Sequence, residues 1–159
     1  MLNFICPLIV VEDITRSRTF YESILEQEVK FDFGEDVTFK GNFAIHQKTH
    51  FQKLLGDSTK YPVVTRAHNC ELYFNSEKIE GIQKRLKEHS VEFIHELKEQ
   101  PWGQRVMRFY DPDGHIIEIG EPMDMVILRL SKQELSVQEV CRRTVMPEEF
   151  VKQILKEHR

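Results

Sequence analysis

The chain has 159 residues, is 40% hydrophobic and 30% charged, and carries a formal charge of −4. This composition excludes a disordered or fibrous chain, and its slight acidity supplies no positive field to draw in nucleic acid or an anionic membrane. No apolar run reaches the ~18 residues of a membrane span. The opening MLNFICPLIVVED lacks the basic flank and small-residue cleavage site of a signal peptide. Three cysteines without a CxxC pair argue against a disulfide framework or a structural zinc, and for a reducing cytosol.

The apolar run Phe4 to Val11 predicts a first strand. Asp13 or Thr15 offers a short side-chain oxygen to cap a helix carrying Phe20, Tyr21, Ile24 and Leu25 on one face. Val29, Phe31 and Phe33 alternate with Lys30 and Asp32, the pattern of a half-buried strand. Two short strands, Val37 to Phe39 and Phe43 to Gln47, flank a Lys40-Gly41-Asn42 turn. The order is β-α-β-β-β. Residues 49–67 read as a linker, with Gly56 and Pro62 as breakers.

The same order then repeats. Cys70, Leu72 and Phe74 alternate with polar neighbours, and Ser76 is placed to cap a helix bearing Ile79, Ile82 and Leu86. Strands follow at Val91 to Ile94, Val106 to Tyr110 and His115 to Ile119, the last two joined by Asp111-Pro112-Asp113-Gly114. Asp13-Ile14 corresponds to Lys78-Ile79, an offset of 65 residues. After Pro122 comes a helical tail. It has an apolar segment from Asp124 to Lys132, a capping box at Ser136 and Glu139 with a helix through Arg143, and a last helix opened by Pro147 with Phe150, Val151, Ile154 and Leu155 as its stripe. Residues 122–159 hold seven Lys and Arg against six Asp and Glu, which is no basic face for DNA, so packing on the chain or on a partner subunit is the expectation.

The stretch PWGQRVMRFYDPDGHIIEIGE, residues 101–121, together with the doubled unit, resembles the vicinal oxygen chelate superfamily over about residues 3–121. That group includes glyoxalase I, fosfomycin-resistance proteins, extradiol dioxygenases and bleomycin-binding proteins. The resemblance implies an α+β fold in which two β-α-β-β-β modules, 1–48 and 68–121, form a cup-shaped, half-barrel-like sheet, with a C-terminal helical extension over 122–159. It also implies metal ligands on the first and last strand of each module, which fall on Cys6, His46, Glu71 and Glu118. An imidazole with carboxylates suits a divalent ion such as Zn, Ni, Mn or Fe.

Each of these residues has a second reading. Cys6 stands where the enzymes of this group usually have His, and reads equally as a small buried hydrophobe. His46 reads also as a plain strand residue, and Glu71 and Glu118 as a hydrogen-bonded pair. Pattern places Glu71 on a polar face with Asn69 and Tyr73, and Glu118 opposite Ile117 and Ile119. Arg108, ten residues before Glu118, matches a substrate-facing position in fosfomycin-resistance-like relatives and suits an anion, or else lies on the surface. Trp102, between Pro101 and Gly103, reads as part of a mouth loop or as a buried anchor. Arg105 reads as solvated.

The implied function is a glyoxalase-type enzyme, metal-dependent, of the lyase or isomerase kind, acting on an oxygen-rich or anionic small molecule. Glu71 or Glu118 would move the proton, and Arg108, Trp102 and Tyr73 would bind substrate. The alternative is a metal-free binding module of the bleomycin-resistance kind. The expected setting is cytoplasmic and homodimeric, without a membrane or nucleic-acid partner.

Overall fold

A computed structural model describes residues 1–56 and 59–158; positions 57–58 of the expected linker and position 159 of the tail lie outside the described residues. The chain divides into two compact units. The first is Met1–Glu71 with Tyr110–Ile116, and the second is Leu72–Phe109 with Ile117–Arg159.

The first unit holds β1 (Leu8–Val11), α1 (Ile14–Thr19) running into a π-helical stretch Phe20–Ile24, β2 (Val29–Asp32), β3 (Asp36–Phe39), β4 (Ala44–Gln47) and α2 (Lys48–Leu55). Its sheet order is β1-β4-β3-β2. β1 runs parallel to β4, and β3 is antiparallel to β4 and to β2. Asp13 caps α1 as expected, its carboxylate accepting from the Arg16 N–H at 3.0 Å. Tyr21, Phe39 and Phe43 cluster at centroid distances of 4.7–5.6 Å, and with Val11, Val37 and Ile45 they form the unit's core. Fully burying one such side chain contributes roughly 1.5–3 kcal/mol.

Three expectations for this unit are corrected. β1 starts at Leu8, not Phe4, because its partner β4 begins only at Ala44; Phe4 and Ile5 are exposed and Cys6 lies before the strand. Phe31 and Phe33 do not face the core. A bulge after Val29, which pairs with Phe39, shifts Phe31 onto Thr38, and a one-residue shift turns a side chain to the opposite face. The linker is not all breaker, since α2 occupies its first third, with the Gln47 side chain accepting from the His50 N–H.

Apart from the strand-end residues Glu71, Tyr110 and Ile116, the second unit holds β5 (Glu71–Asn75), α3 (Ile79–Glu88), β6 (Phe93–Glu99), β7 (Arg105–Tyr110), β8 (Ile116–Gly120), then α4 (Met123–Ser131), α5 (Val137–Thr144) and α6 (Glu148–Glu157). Its sheet order, β5-β8-β7-β6, repeats that of the first. Ser76 does not cap α3; its hydroxyl accepts from the Lys78 N–H at 3.1 Å, before the helix begins. The capping box at Ser136 and Glu139 is present. Val126, Ile127, Leu130, Val140, Val151 and Ile154 give the tail its own core. The molecule is therefore α+β, with two four-stranded sheets built on one repeated order and a helical C-terminal extension. Among the described residues no helix is long and apolar enough to cross a membrane.

Candidate functional site

Alternation on β5 puts Leu72 inside and leaves Glu71 and Tyr73 exposed on the other face. A Cβ on Gly120 of β8 would lie 3.0 Å from the Tyr73 hydroxyl, so Tyr73 shares its face with Gly120 and, two residues earlier, Glu118. On neighbouring β7, the Arg108 guanidinium pairs with Glu118. Glu118 is 9% exposed and Arg108 27%, so the carboxylate is withdrawn from water while the guanidinium keeps part of its surface exposed. On β6, His95 lies opposite Arg108. The His95 Nδ1 is 2.9 Å from the Glu96 carbonyl and donates to it, which leaves Nε2 to accept from Arg108 Nη1 at 3.3 Å. One face of this sheet thus presents Tyr73, Glu118, Arg108 and His95 in strand order.

Gln104 ties the rim of this face together. Its Oε1 accepts from Trp102 Nε1 at 2.9 Å, while its Nε2 donates to the Tyr73 hydroxyl at 2.9 Å and to the Glu121 carbonyl at 2.8 Å. Trp102 is 37% exposed, neither a fully buried anchor nor free. Arg105 is not solvated. It is bound to Glu80 and Glu121, and Glu121 also receives Arg129, because a carboxylate that is 3% exposed must be matched by cations. Burial alone would raise the Glu121 pKa, but the two guanidiniums outweigh it and hold the group below the usual carboxylate range.

In the first unit, His46 is buried with both ring nitrogens engaged. Nδ1 lies 3.3 Å from Asp36 Oδ2 and Nε2 lies 2.7 Å from His50 Nδ1. Burial lowers its pKa, against the pull of Asp36, and His50 lowers it further. Glu71 lines a shallow pocket of about 280 Å³ with His68, Asn69, Cys70 and Ile116. The turn Asp111-Pro112-Asp113-Gly114 is structural. Asp111 accepts from the Tyr21 hydroxyl and the His115 ring, each at 2.8 Å, and Asp113 accepts from Arg16 and Ser17, each at 2.7 Å.

Of the residues expected in a site, the structure brings together Arg108 with Glu118, and Trp102 with Tyr73 through Gln104. Among the described residues no group of three or more His, Cys, Asp or Glu side chains is arranged to hold a metal ion. Glu118 is taken by Arg108, His46 by Asp36 and His50, and Cys6 precedes its strand. Within each unit, then, the donors His46 and Glu118 are held by protein neighbours. Sequence reasoning missed His95 and Gln104. The alternation on β6 would mark His95 only once its register with Arg108 is known, and Gln104 carries no local signal.

The repeated four-stranded order and the polar sheet face define a glyoxalase-like domain. The sequence profile of the family described as glyoxalase-like domain matches residues 4–124, and the chain belongs to that family. Among solved structures, a protein of unknown function from Agrobacterium tumefaciens str. C58 is 38% identical, with a TM-score of 0.68 over 77% of this chain and 95% of that one. A lactoylglutathione lyase from Agrobacterium tumefaciens matches at 18% identity and TM-score 0.58, over 77% of this chain and 96% of that one. The genomically encoded fosfomycin resistance protein from Listeria monocytogenes matches at 18% identity and TM-score 0.57, over 77% and 94%. These last two show the shared fold. No protein of curated function matches the sequence.

Proposed function

We propose that this glyoxalase-family protein is a small-molecule enzyme whose substrate carries an anionic or oxygen-rich group. The observation that carries the reading is the Arg108–Glu118 pair on the polar sheet face, beside Tyr73 and His95. An internal ion pair is a stored pair of binding partners. A substrate carboxylate or phosphonate takes the place of Glu118 on the guanidinium, a planar fork suited to such groups. The displaced Glu118 carboxylate then lies beside the bound molecule, where it can accept a proton from an adjacent carbon or hydroxyl. Tyr73 and the Trp102 ring border the same face. No step is derived through a metal, because Glu118 is engaged by Arg108 and His46 by Asp36 and His50.

The second reading is a metal-free module that binds and sequesters its ligand. The Arg108–Glu118 pair supports it as well, since a guanidinium can hold an anionic ligand without any chemistry. Turnover separates the two. A panel of small carboxylates and phosphonates bearing an exchangeable α-proton is incubated in deuterated water, with proton exchange followed by NMR. The enzyme reading expects exchange in the wild type and its loss in Glu118→Gln while binding persists. Binding without exchange in both proteins leaves the sequestering module.

A further inference from the structure

Residues 125–159 lie outside the family match, yet their side chains reach the loop that carries Trp102 and Gln104. On α4, Val126, Ile127 and Leu130 are buried in the tail's core, with Val126 and Leu130 also lying against Gly103, and Arg129 is 25% exposed. Its guanidinium donates to the Gly103 carbonyl, to Glu121 at 3.0 Å and to Glu99 at 2.9 Å. Arg143 of α5 reaches Glu99 as well. Gly103 has φ +83°, and a Cβ there would come within 3.2 Å of Leu130 Cδ1, so glycine is required both by conformation and by the approach of α4. From the other side, Gln104 fastens the loop to Tyr73 and to the Glu121 carbonyl.

We propose that the C-terminal tail is a brace that holds the Trp102–Gln104 segment against the polar face, with Arg129 as its positioning residue. The segment Gln100–Gln104 is closed at its base by backbone hydrogen bonds, the Gln100 N–H donating to the Gln104 carbonyl and the Gly103 N–H to the Gln100 carbonyl, each at 2.8 Å, but its exposed tip at Pro101 and Trp102 depends on its neighbours for order. The tail satisfies the Gly103 carbonyl and neutralises Glu121, whose backbone carbonyl in turn orients the Gln104 amide. Trp102 and Tyr73 are thereby set in place before any ligand arrives, which lowers the ordering cost of binding. The brace goes beyond the anion reading and is read without ligand, so either idea can fail alone.

Trp102 is the only tryptophan, so its fluorescence reports this loop directly. Acrylamide quenching is measured well below the melting temperature on the full chain. Arg129→Met should red-shift the emission and raise the quenching constant about twofold, because the loop opens while the fold persists. Arg129→Lys should restore only part, since an ammonium cannot serve a carbonyl and two carboxylates in one plane. Val151→Ala removes a buried tail contact on α6 and should lower the melting temperature with quenching unchanged. Wild-type quenching in folded Arg129→Met overturns the brace. So does Val151→Ala raising the quenching constant as much as Arg129→Met, which would reduce the effect to stability. If Arg129→Met does not fold, Glu99→Gln removes the carboxylate shared by Arg129 and Arg143; raised quenching supports the brace and unchanged quenching overturns it.

Discussion

The Tyr21 hydroxyl donates a 2.8 Å hydrogen bond to the Asp111 carboxylate, joining positions 90 residues apart. Burial and the neighbouring carboxylate push the Tyr21 pKa well above its ordinary value, so the phenol stays a donor throughout the accessible pH range. Tyr21→Phe keeps the ring packing but leaves a buried carboxylate short of one partner. The expected loss is about 1–2 kcal/mol in urea denaturation. A loss below a few tenths would show that the bond is not a stabilising one.

His115 shares that carboxylate. Burial would lower its pKa, but the hydrogen bond and charge of Asp111, helped by Asp113, raise it above the ordinary value of 6.5. A raised folded-state pKa means that the protonated ring stabilises the native state. The contribution is fully present below pH 6.5 and is lost as pH rises through the folded pKa. His115→Gln should flatten that decline in melting temperature. An NMR titration placing the His115 pKa below 6.5 would contradict the assignment.

Glu121 behaves in the opposite sense. Its folded pKa lies below the ordinary 4.5, so the stability it contributes is present above 4.5 and is lost as pH falls through the folded value. Glu121→Gln should cost about 2 kcal/mol at neutral pH, by weakening charge-assisted bonds to Arg105 and Arg129. It should also remove part of the acid-induced loss. An unchanged acid limb in the variant would place the titrating group elsewhere.

Val145 ends α5 in the left-handed region at φ 60°, where a β-branched side chain is strained, and it is 81% exposed. Val145→Gly should therefore raise tail stability by about 1 kcal/mol despite glycine's greater unfolded-state freedom. A lowered melting temperature would mean that the side chain contributes a contact that outweighs the strain.

The repeat made the order of strands legible, because the alternation of apolar residues and the 65-residue offset between Asp13 and Lys78 survive in one dimension. Caps at Asp13 and Ser136 were legible for the same reason, as local chemistry. The outward turn of Phe31 and Phe33 was not, since a bulge is a property of pairing and not of the strand itself. Arg108 and Glu118 could be named from their strands, but their mutual neutralisation depends on register between β7 and β8. The same holds for His46, whose engagement by His50 appears only because residues 49–55, expected as linker, fall in a helix, Lys48–Leu55, that returns the ring.

The occupied donors also bear on metal uptake. Incubation with Mn, Ni, Zn and Fe followed by elemental analysis should find less than one ion per chain in the wild type. Arg108→Ala, which releases Glu118, should raise it. One ion per chain in the wild type, lost in His46→Ala, would show that the donors rearrange around a metal.

The central claim is that Arg108 receives an anion in exchange for Glu118, and calorimetric titration with simple oxyanions such as oxalate, acetate and phosphate tests it most directly. A charge-assisted bidentate contact contributes about 1.5–3 kcal/mol, so Arg108→Ala should weaken binding roughly tenfold to a hundredfold. Arg108→Lys should recover only part. Glu118→Gln should bind more tightly than wild type, because the competing internal carboxylate is gone. Equal affinity in wild type, Arg108→Ala and Glu118→Gln would contradict the exchange.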